Sequence, residues 1–447
     1  DHNLGIYPRI DINAANSVSI GAHYTAVSAQ DGIVNIGSAA ESVKNISLNT
    51  DFTSAAALGA NQTAAQVLSN EAYATIYARN LFGEGQVNLY GNTVSILTAE
   101  KTMTDASLSN VKYDTAISGN GSGTVNIHGK DKVVIHGAIE SLNTSLQGKG
   151  TTGIKVNIKG AAGSTIKTDL VASASDAQSG AGGKINIALG ANSTLTGDVL
   201  AKNSGQVALD GITDIKGKIK AETAGAVTIT GTTTTISSDI STTGKANASA
   251  LVAKLGGAHI TLGAADTFLN VTANNAGNER NFYTGIYGHQ GTVEVNGNLT
   301  LTGQGTVTTP GAYNYLQGVS VESDARDAHA STINFNGKNT TIKLDSAYSA
   351  VGVITSGPKS QVNFTGDQVK LDVTSSYKSL HGETMAVGFN AEYDGKITSA
   401  ANTALSITAT AAKAAATGIR VAEYPKSGSG GKVNLKGTTN ITVNSLK

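Results

Sequence analysis

The sequence GTVNIHG, residues 123–129, is one copy of a phrase that returns along the chain. Within it Val125 and Ile127 alternate with Asn126 and His128, which is the period-two pattern of a strand with one buried face, and a glycine stands at each end. Related phrases occupy residues 32–37, 85–91, 154–160, 183–190, 205–211, 225–231, 257–263, 291–297, 331–337, 360–366 and 431–437. The repetition predicts a solenoid with one such strand in every repeat.

The spacing of the copies indicates which kind of solenoid to expect. Measured between the first buried residue of each phrase, it varies from 20 residues (Val207 to Val227) to 53 residues (Val34 to Val87). Propeller blades and ankyrin-type helical units hold a nearly constant length, whereas a β-helix accepts insertions at its turns. Second and third strand patterns follow the phrase, for example at residues 339–345 and 283–288. We therefore expect an all-β, right-handed parallel β-helix with three strands per coil, about fourteen coils and loop insertions.

Equivalent residues of successive coils should lie next to each other, because parallel strands lie in register about 4.8 Å apart. On the second strand, this reasoning places Lys343 beside Lys370 and Asp345 beside Asp372, a pattern that we interpret as a solvated face. The inward position of the third strand is apolar in all the coils aligned, at Val27, Ile76, Ile117, Ile286, Val319, Val353, Phe389 and Ile419.

The chain is expected to form a single solenoid over residues 1–447, with long coils at 1–184, minimal coils at 185–241 and long coils again at 242–447. Insertions that leave the stack are expected at residues 50–71, 99–112, 242–255, 273–281, 304–313 and 373–383. Two stretches, 62–72 and 247–255, have the composition of short helices. Most third strands of the long coils follow a tyrosine, at Tyr24, Tyr73, Tyr113, Tyr283, Tyr315 and Tyr348.

Composition argues against several classes of function. The 32 basic and 32 acidic residues are scattered and give a formal net charge of +0, so no nucleic-acid partner is indicated. The chain has no cysteine, and therefore neither a disulfide framework nor a thiolate metal site. No apolar run approaches the roughly eighteen residues of a membrane-spanning helix, and Asp1 opens the sequence without a signal segment. If the protein is exported, we expect its targeting parts to lie outside this sequence.

The outward position of the phrase is most often asparagine, which predicts an amide ladder on one face of the solenoid. Such ladders hydrogen-bond along a stacked sheet and stabilise it without any partner, and we favour this structural interpretation. The functional alternative is a self-complementary face that pairs with another copy of the chain or holds a hydroxyl-rich glycan. The members of that face are Asn88, Asn126, Asn157 and Asn186.

A second candidate site is the aromatic segment at residues 278–291, where planar and hydrogen-bonding side chains gather in one long coil. The candidate ligand-binding residues are Arg280, Tyr283, Tyr287 and His289, with Tyr77 and Arg79 on the corresponding strand of an earlier coil. Packing of the tyrosines against their own insertion is the competing interpretation, and it is favoured. No cofactor or metal site is predicted, because His128 and His136 have only Asp131 close by in the sequence.

Catalytic residues are not predicted. β-Helical polysaccharide enzymes use acidic clusters with basic partners in a cleft, and the sequence shows no carboxylate pair at a suitable spacing from a lysine or arginine. We therefore expect a protein that is not an enzyme.

The repeated GxVNIxG and GxxTI phrases, the abundance of Ala, Gly, Ser, Thr and Asn, the absence of cysteine and the turn insertions resemble the passenger region of a bacterial autotransporter (type V secretion) adhesin. The resemblance covers essentially the whole chain, and filamentous-haemagglutinin-type exoproteins share it. It implies a surface-exposed β-helix that is exported through the outer membrane by a C-terminal barrel. That barrel is expected outside this sequence, which lacks its alternating strands. The GDSG-type motif of protease passengers is also absent, which favours an adhesin.

Three functional hypotheses follow. The first is attachment to a host surface receptor, a matrix protein or a glycan through the tyrosine-bearing long coils, by a protein anchored at the bacterial surface or secreted. The second is self-association between cells along the asparagine face, leading to aggregation and biofilm. The third is a polysaccharide-processing enzyme.

Overall fold

The computed structural model describes residues 8–22, 25–50, 74–80, 85–98, 101–105, 108–113, 115–143, 153–174, 182–277, 280–308, 313–376, 384–412, 414–423 and 430–445. These residues form strands joined by turns and contain no helix, which confirms the all-β prediction. The chain divides into two compact units, Asp1–Thr213 and Asp214–Lys447. Each unit is a parallel β-helix with three strands per coil, as the phrase predicts.

The strands of the first unit are β1 (Arg9–Ile12), β2 (Ser17–Ala22), β3 (Val27–Gln30), β4 (Ile33–Ile36), β5 (Val43–Thr50), β6 (Ile76–Asn80), β7 (Gln86–Thr98), β8 (Lys101–Asp105), β9 (Leu108–Tyr113), β10 (Thr115–Gly121), β11 (Thr124–His136), β12 (Ala138–Asn143), β13 (Lys155–Gly160), β14 (Thr165–Lys167), β15 (Leu170–Ala174), β16 (Lys184–Leu189), β17 (Thr194–Thr196), β18 (Val199–Lys202) and β19 (Gln206–Asp210).

The strands of the second unit are β20 (Asp214–Lys216), β21 (Ile219–Glu222), β22 (Ala226–Thr230), β23 (Thr233–Asp239), β24 (Asn247–Leu262), β25 (Asp266–Asn275), β26 (Arg280–Val295), β27 (Asn298–Val307), β28 (Tyr313–Glu322), β29 (Ser331–Phe335), β30 (Asn339–Ser346), β31 (Ser349–Ser356), β32 (Ser360–Phe364), β33 (Gln368–Ser375), β34 (Thr384–Glu392), β35 (Lys396–Ser399), β36 (Ala404–Ala411), β37 (Ala415–Ala422), β38 (Lys432–Asn434) and β39 (Thr439–Ser445).

Equivalent strands of successive coils pair in parallel, and this gives each unit a first-strand, a second-strand and a third-strand face. The first-strand face carries the phrase; in the first unit it contains β1, β4, the start of β7, the start of β11, β13, β16 and β19. The third-strand face of the second unit contains β21, the starts of β24 and β26, β28, β31, β34 and β37. These two faces carry the features developed below.

The core of each unit is a set of apolar columns that the register creates. In the first unit Val87, Val125, Val156 and Ile185 are successive partners on the first-strand face, and each is buried. On the third strand, the apolar inward positions predicted from the sequence are in register within each unit. Each of these side chains is covered by a similar apolar residue in the coil above and in the coil below, and this burial is the main contribution to the stability of the fold.

Aromatic rings continue the same columns in the second unit. The rings of Phe335 and Phe364 stack with centroids 4.9 Å apart and an interplanar angle of 9°. The ring of Phe389, which belongs to the third-strand column, lies 5.8 Å from the Phe364 ring between centroids. All three side chains are almost fully buried, so they extend the aliphatic core rather than present a surface.

The leading glycine of the phrase is explained by a tight turn between the third strand and the next first strand. Before Gly205, Asn203 and Ser204 both adopt left-handed backbone conformations, with φ of 48° and 64°. The Gly205 amide donates to the Lys202 carbonyl at 2.9 Å and closes the turn. A Cβ atom at Gly205 would lie 2.1 Å from the Ala172 carbonyl oxygen, which no side chain tolerates.

The predicted helix at residues 247–255 is wrong. These residues begin β24, which is the third strand of its coil, and Leu251 pairs with Ile219 on one side and Ile286 on the other. Alanine, leucine and lysine favour helices locally, but pairing with two neighbouring strands outweighs that preference. The helix predicted at 62–72 lies outside the described residues.

The predicted insertions are accordingly shorter than expected. Residues 242–255 are largely strand, and the expected insertions at 273–281, 304–313 and 373–383 each begin with residues that still belong to β25, β27 or β33. Residues 99–112 do leave the parallel stack, because β8 and β9 form a separate antiparallel pair. Most of the expected insertion at 50–71 lies outside the described residues.

The predicted pairing of like charges on the second strand is also wrong. Lys343 lies in register with Asp372, and Lys370 with Thr341. The true register is shifted by two residues from the one predicted, so opposite charges are neighbours and the expected repulsion between like charges does not arise.

Candidate functional site

The predicted amide ladder is present on the first-strand face of the first unit. Each asparagine donates a hydrogen bond from Nδ2 to the Oδ1 of the preceding coil, over distances of 2.7 to 2.9 Å, from Asn186 through Asn157, Asn126 and Asn88 to Asn35. The Asn35 amide in turn donates to Asp11 at 2.7 Å. The amide groups thus satisfy one another along the stack, as the structural interpretation requires.

The second unit has a shorter and less uniform version of the ladder. Asn363 donates to Asn334 at 2.7 Å, and Asn334 donates to the Glu294 carboxylate at 2.7 Å. Threonine takes over at Thr398, whose hydroxyl donates to Asn363 at 2.7 Å. The continuous ladder of asparagines is therefore a property of the first unit.

The aromatic segment contributes to a groove on the third-strand face of the second unit. We call this the third-strand groove; its volume is about 470 Å³. Its walls come from six successive third strands, β21, β24, β26, β28, β31 and β34. The lining residues used below are Lys220, Glu222, Lys254, Phe282, Tyr287, Gln317, Glu322 and Glu392.

A row of charged and polar side chains runs along this groove because the register aligns them. The successive partners in the row are Glu222, Lys254, His289, Glu322, Ser356 and Glu392. The row thus begins with an acidic and a basic group, Glu222 and Lys254, as neighbours at the strand spacing of about 4.8 Å. At the Glu222 end of the row the carboxylate charge is also neutralised by Lys220, whose Nζ lies 2.7 Å from the Glu222 carboxylate.

Tyr287 lies at the centre of the groove, half-buried and facing outward. Its hydroxyl donates to Glu322 Oε2 at 3.0 Å. Burial raises the pKa of Tyr287 above its ordinary range, and the adjacent Glu322 carboxylate raises the pKa further. The phenol is therefore a neutral donor held in one direction by the carboxylate, not a proton-transfer group near neutral pH.

His289 is positioned by a turn at residues 323–330. Its Nε2 lies 3.3 Å from Asp327 Oδ2, and Gln290 Nε2 donates to Asp327 Oδ1 at 2.9 Å. Lys359 also donates to the Asp327 backbone carbonyl. The turn is thereby tied to β26 and to the turn before β32, and it forms a fixed rim beside Tyr287.

An aromatic cluster lies at one margin of the groove. Phe282 stacks on Tyr315 at 4.8 Å between centroids, and Tyr348 meets Tyr315 edge-on at 5.1 Å. The Arg280 guanidinium lies 4.9 Å from the Tyr315 ring centroid, a cation–π contact. The rings support each other, which agrees with the interpretation that much of this segment packs on itself.

Two kinds of outcome follow for the predicted ligand-binding residues. Arg280, Tyr287 and His289 all lie on β26 and face outward. The Tyr283 side chain is fully buried. Its hydroxyl forms hydrogen bonds with the Thr242 hydroxyl at 2.5 Å and the Asn281 amide at 3.2 Å, so it stabilises the turn between β23 and β24 from the interior of the coil. Tyr77 and Arg79 belong to β6 of the first unit, where Tyr77 is buried.

Several groove residues were missed by the sequence analysis, among them Lys254, Phe282, Gln317, Glu322 and Glu392. Gln317 is pre-oriented, because the Thr284 hydroxyl donates to its Oε1 at 3.0 Å and leaves the NH₂ group as a donor. Aligning the third strands by their inward residues would have found the charged row.

Chemically, the third-strand groove offers fixed donors, acceptors and an apolar surface. Among the described residues no group of three or more His, Cys, Asp or Glu side chains could hold a metal ion. His128 instead stacks against Tyr90 at 6.0 Å between ring centroids. The described part of the chain has no helix long and apolar enough to cross a membrane.

Comparisons of the chain with protein-family models, with curated proteins and with solved structures found no match.

Proposed function

We propose that the chain is the passenger region of a bacterial surface adhesin that attaches to carbohydrate in the third-strand groove of the second unit. The observation that supports this most is the composition of that groove, where carboxylates, ammonium groups, two side-chain amides and two aromatic rings line one volume of about 470 Å³. Pockets that bind small polar ligands combine an apolar surface with a few fixed polar groups in this way.

The arrangement matches the chemistry of a pyranose ring. A sugar presents hydroxyls that both donate and accept hydrogen bonds, and C–H faces that pack on aromatic rings. Glu322 and Glu392 provide acceptors, Lys254 and the Gln317 amide provide donors, and the Tyr287 ring provides an apolar face. With three carboxylates and two ammonium groups among its lining residues, the groove favours a neutral saccharide over a strongly anionic one.

The geometry gives less support to the polysaccharide-processing enzyme. Glu322 and Glu392 are two coils apart in the row, so their backbones are separated by about 10 Å. Each carboxylate also accepts a hydrogen bond from a neighbouring side chain, Glu322 from the Tyr287 hydroxyl and Glu392 from the Asn390 amide. Both are thus held as hydrogen-bond acceptors, whereas a glycosidase needs one carboxyl of its pair as a proton donor.

Self-association through the first-strand face is the second candidate. Its supporting observation is that the continuous asparagine ladder forms a regular polar surface on the first unit. The ladder hydrogen bonds are satisfied within one chain, however, and this favours a structural role. Clumping of cells that display the chain would argue for self-association.

The test is a glycan-binding screen on the purified chain, followed by affinity measurements with the double variant Tyr287→Ala/His289→Ala. We expect binding of a neutral oligosaccharide that the double variant weakens at least about tenfold, since it removes the ring and one rim contact. Tyr287→Phe, which keeps the ring, should lose less affinity than Tyr287→Ala.

The matched control is Tyr90→Ala/His128→Ala, which removes the same two residue types from the first unit, where the Tyr90 and His128 rings stack on each other. This variant should bind the neutral oligosaccharide normally. Equal loss in both double variants, or release of reducing ends from the ligand, would argue against attachment in the third-strand groove.

A further inference from the structure

A separate groove lies beside the asparagine ladder of the first unit. It has a volume of about 480 Å³ and runs between the ladder and the next outward row of the first-strand face. That row consists of Tyr90, His128, Lys159, Ala188 and Asp210, which are successive partners in register. We call this the ladder groove.

Lysines lie on both sides of the asparagine ladder, one in the groove and two on the other side. Lys159 lines the groove, and Lys155 and Lys184 lie in the outward row on the other side of the ladder. Lys155 and Lys184 are partners in register on adjacent strands, so two ammonium groups of like charge are neighbours. Like charges opposite one another destabilise a sheet, and a bound anion would relieve that repulsion.

These lysines have no neutralising partner in direct contact among the described residues, since none of Lys155, Lys159 and Lys184 forms an ion pair there. Among the described lining residues Asp210 is the one carboxylate, and it offsets the charge of Lys159. Lys155 and Lys184 then leave an excess of positive charge on the surface across the ladder, although the chain as a whole has a net charge of +0.

The ladder also retains hydrogen-bonding capacity. Each amide has two N–H groups, and the ladder uses one of them. The ladder ends at Asn186, because its partner in the next coil is Ala208 and no further amide donates to the Asn186 oxygen. Groups that bind hydroxyls thus lie directly between groups that bind anions.

We propose that the ladder groove binds an extended acidic polysaccharide, with its sulfate or carboxylate groups on the lysines and its hydroxyls on the Asn126, Asn157 and Asn186 amides. The backbones of Lys155 and Lys184 are one coil apart, about 4.8 Å, which is comparable with the length of one sugar residue. The proposal is independent of the third-strand groove, whose lining carries more carboxylates than ammonium groups.

The observations favour a polysaccharide over a nucleic acid. The groove and its borders contain no arginine, the residue that matches phosphate with paired hydrogen bonds. Duplex DNA also carries one charge per about 1.7 Å of its axis, which is much denser than the three lysines that β13 and β16 contribute to this surface. The aligned amides suit hydroxyls better than a continuous row of phosphates.

The experiment measures binding of the purified full chain to dextran sulfate, to polygalacturonate and to uncharged dextran at low ionic strength. We expect the two acidic polymers to bind and uncharged dextran to bind at least about tenfold more weakly at this groove. Raising the salt to 1 M should abolish binding, because it shortens the Debye length to about 3 Å.

The test variant is Lys155→Gln/Lys184→Gln, which keeps two polar side chains and removes the repulsion, so folding is protected. Its control is Lys396→Gln/Lys432→Gln, a second pair of lysines in register on the first-strand face, in the second unit. The test variant should lose at least about tenfold in affinity for dextran sulfate, and the control should lose less than twofold. Lys159→Gln should behave like the test variant.

Equal losses in test and control variants would show that binding follows surface charge alone and would overturn the proposal. Competition by duplex DNA at the same concentration of charges, with the same loss in the Lys155→Gln/Lys184→Gln variant, would also overturn it in favour of a nucleic-acid site. Binding of neutral oligosaccharide in the third-strand groove should remain unchanged in every lysine variant, so failure of one proposal does not imply failure of the other.

Discussion

Breaking the asparagine ladder at two different points separates its structural role from a role in cell pairing. Asn157 makes two ladder bonds, donating to Asn126 at 2.7 Å and accepting from Asn186 at 2.9 Å. Asn186 makes one, because Ala208 follows it. The variants Asn157→Ala and Asn186→Ala therefore differ by one hydrogen bond while the substitution itself is the same.

The expected magnitudes follow from that count. A typical hydrogen bond contributes a net ~0.5–1.5 kcal/mol, so Asn157→Ala should cost about 1–3 kcal/mol and Asn186→Ala about half as much. Both side chains are half-buried, so water replaces part of each lost bond. A difference of about 1 kcal/mol corresponds to roughly a fivefold change in the local opening equilibrium.

The assay is native-state hydrogen exchange of the backbone amides in β13 and β16. In a solenoid a destabilised coil opens locally, so protection should fall in these strands and their neighbours. Exchange should be faster in Asn157→Ala than in Asn186→Ala. Equal exchange in the two variants would refute the reasoning that the ladder stabilises the coil through its hydrogen bonds. If Asn157→Ala abolished clumping of cells that display the chain and left exchange unchanged, self-association would replace the structural interpretation.

Three further predictions concern the core and the third-strand groove. Val125→Asp buries an unpaired charge and should cost several kcal/mol; protease cleavage near residue 123 should accelerate, and unchanged resistance would contradict the register. Phe364→Ala removes a buried, stacked ring and should destabilise the second unit by about 3–5 kcal/mol, seen as a lower denaturant midpoint for that unit; an unchanged midpoint would contradict the packing. The raised pKa of Tyr287 means that the folded chain keeps a proton that the unfolded chain loses, so the free energy of unfolding should fall as the pH rises above about 10. Tyr287→Phe should remove this fall in the free energy of unfolding. The ionisation of Tyr287 can be followed as the difference in absorbance between the wild type and Tyr287→Phe during a pH titration. If that difference appeared near pH 10, the Tyr287 hydroxyl would not be shielded.

Much of the fold could be predicted from the sequence because the repeated phrase shows which residues face inward and which residues of successive coils align. The alternation in GTVNIHG places Val125 inward and Asn126 outward, and repetition then fixes which residues stack. The amide ladder followed from this reasoning and is confirmed. The second strands lack such a phrase, and there the predicted alignment of Lys343 was wrong by two residues.

The strand at the start of β24 shows where local preference misleads. NASALVAKL contains residues that favour a helix, but the coil needs a third strand there to pair with β21 and β26. Leaving the backbone groups of those two strands unpaired would cost more than the weak helix preference provides.

The third-strand groove could be predicted only in part. Tyr287 was found because aromatic and basic residues are close in sequence on one strand, whereas His289 and Arg280, found in the same way, lie beside the groove and not in its lining. Glu222, Lys254 and Glu392 come from strands far apart in sequence, and only the register brings them into one row. The role of Tyr283 was not predictable from composition, since its direction depends on which side of β26 faces the core.

The most direct test of the central claim is a crystal structure of the chain with the neutral oligosaccharide that binds best in the screen. We predict that the sugar lies along the third-strand groove, packed on the Tyr287 ring and hydrogen-bonded to the Gln317 amide and the Glu322 carboxylate. A sugar bound elsewhere on the chain, with this groove empty, would contradict the account.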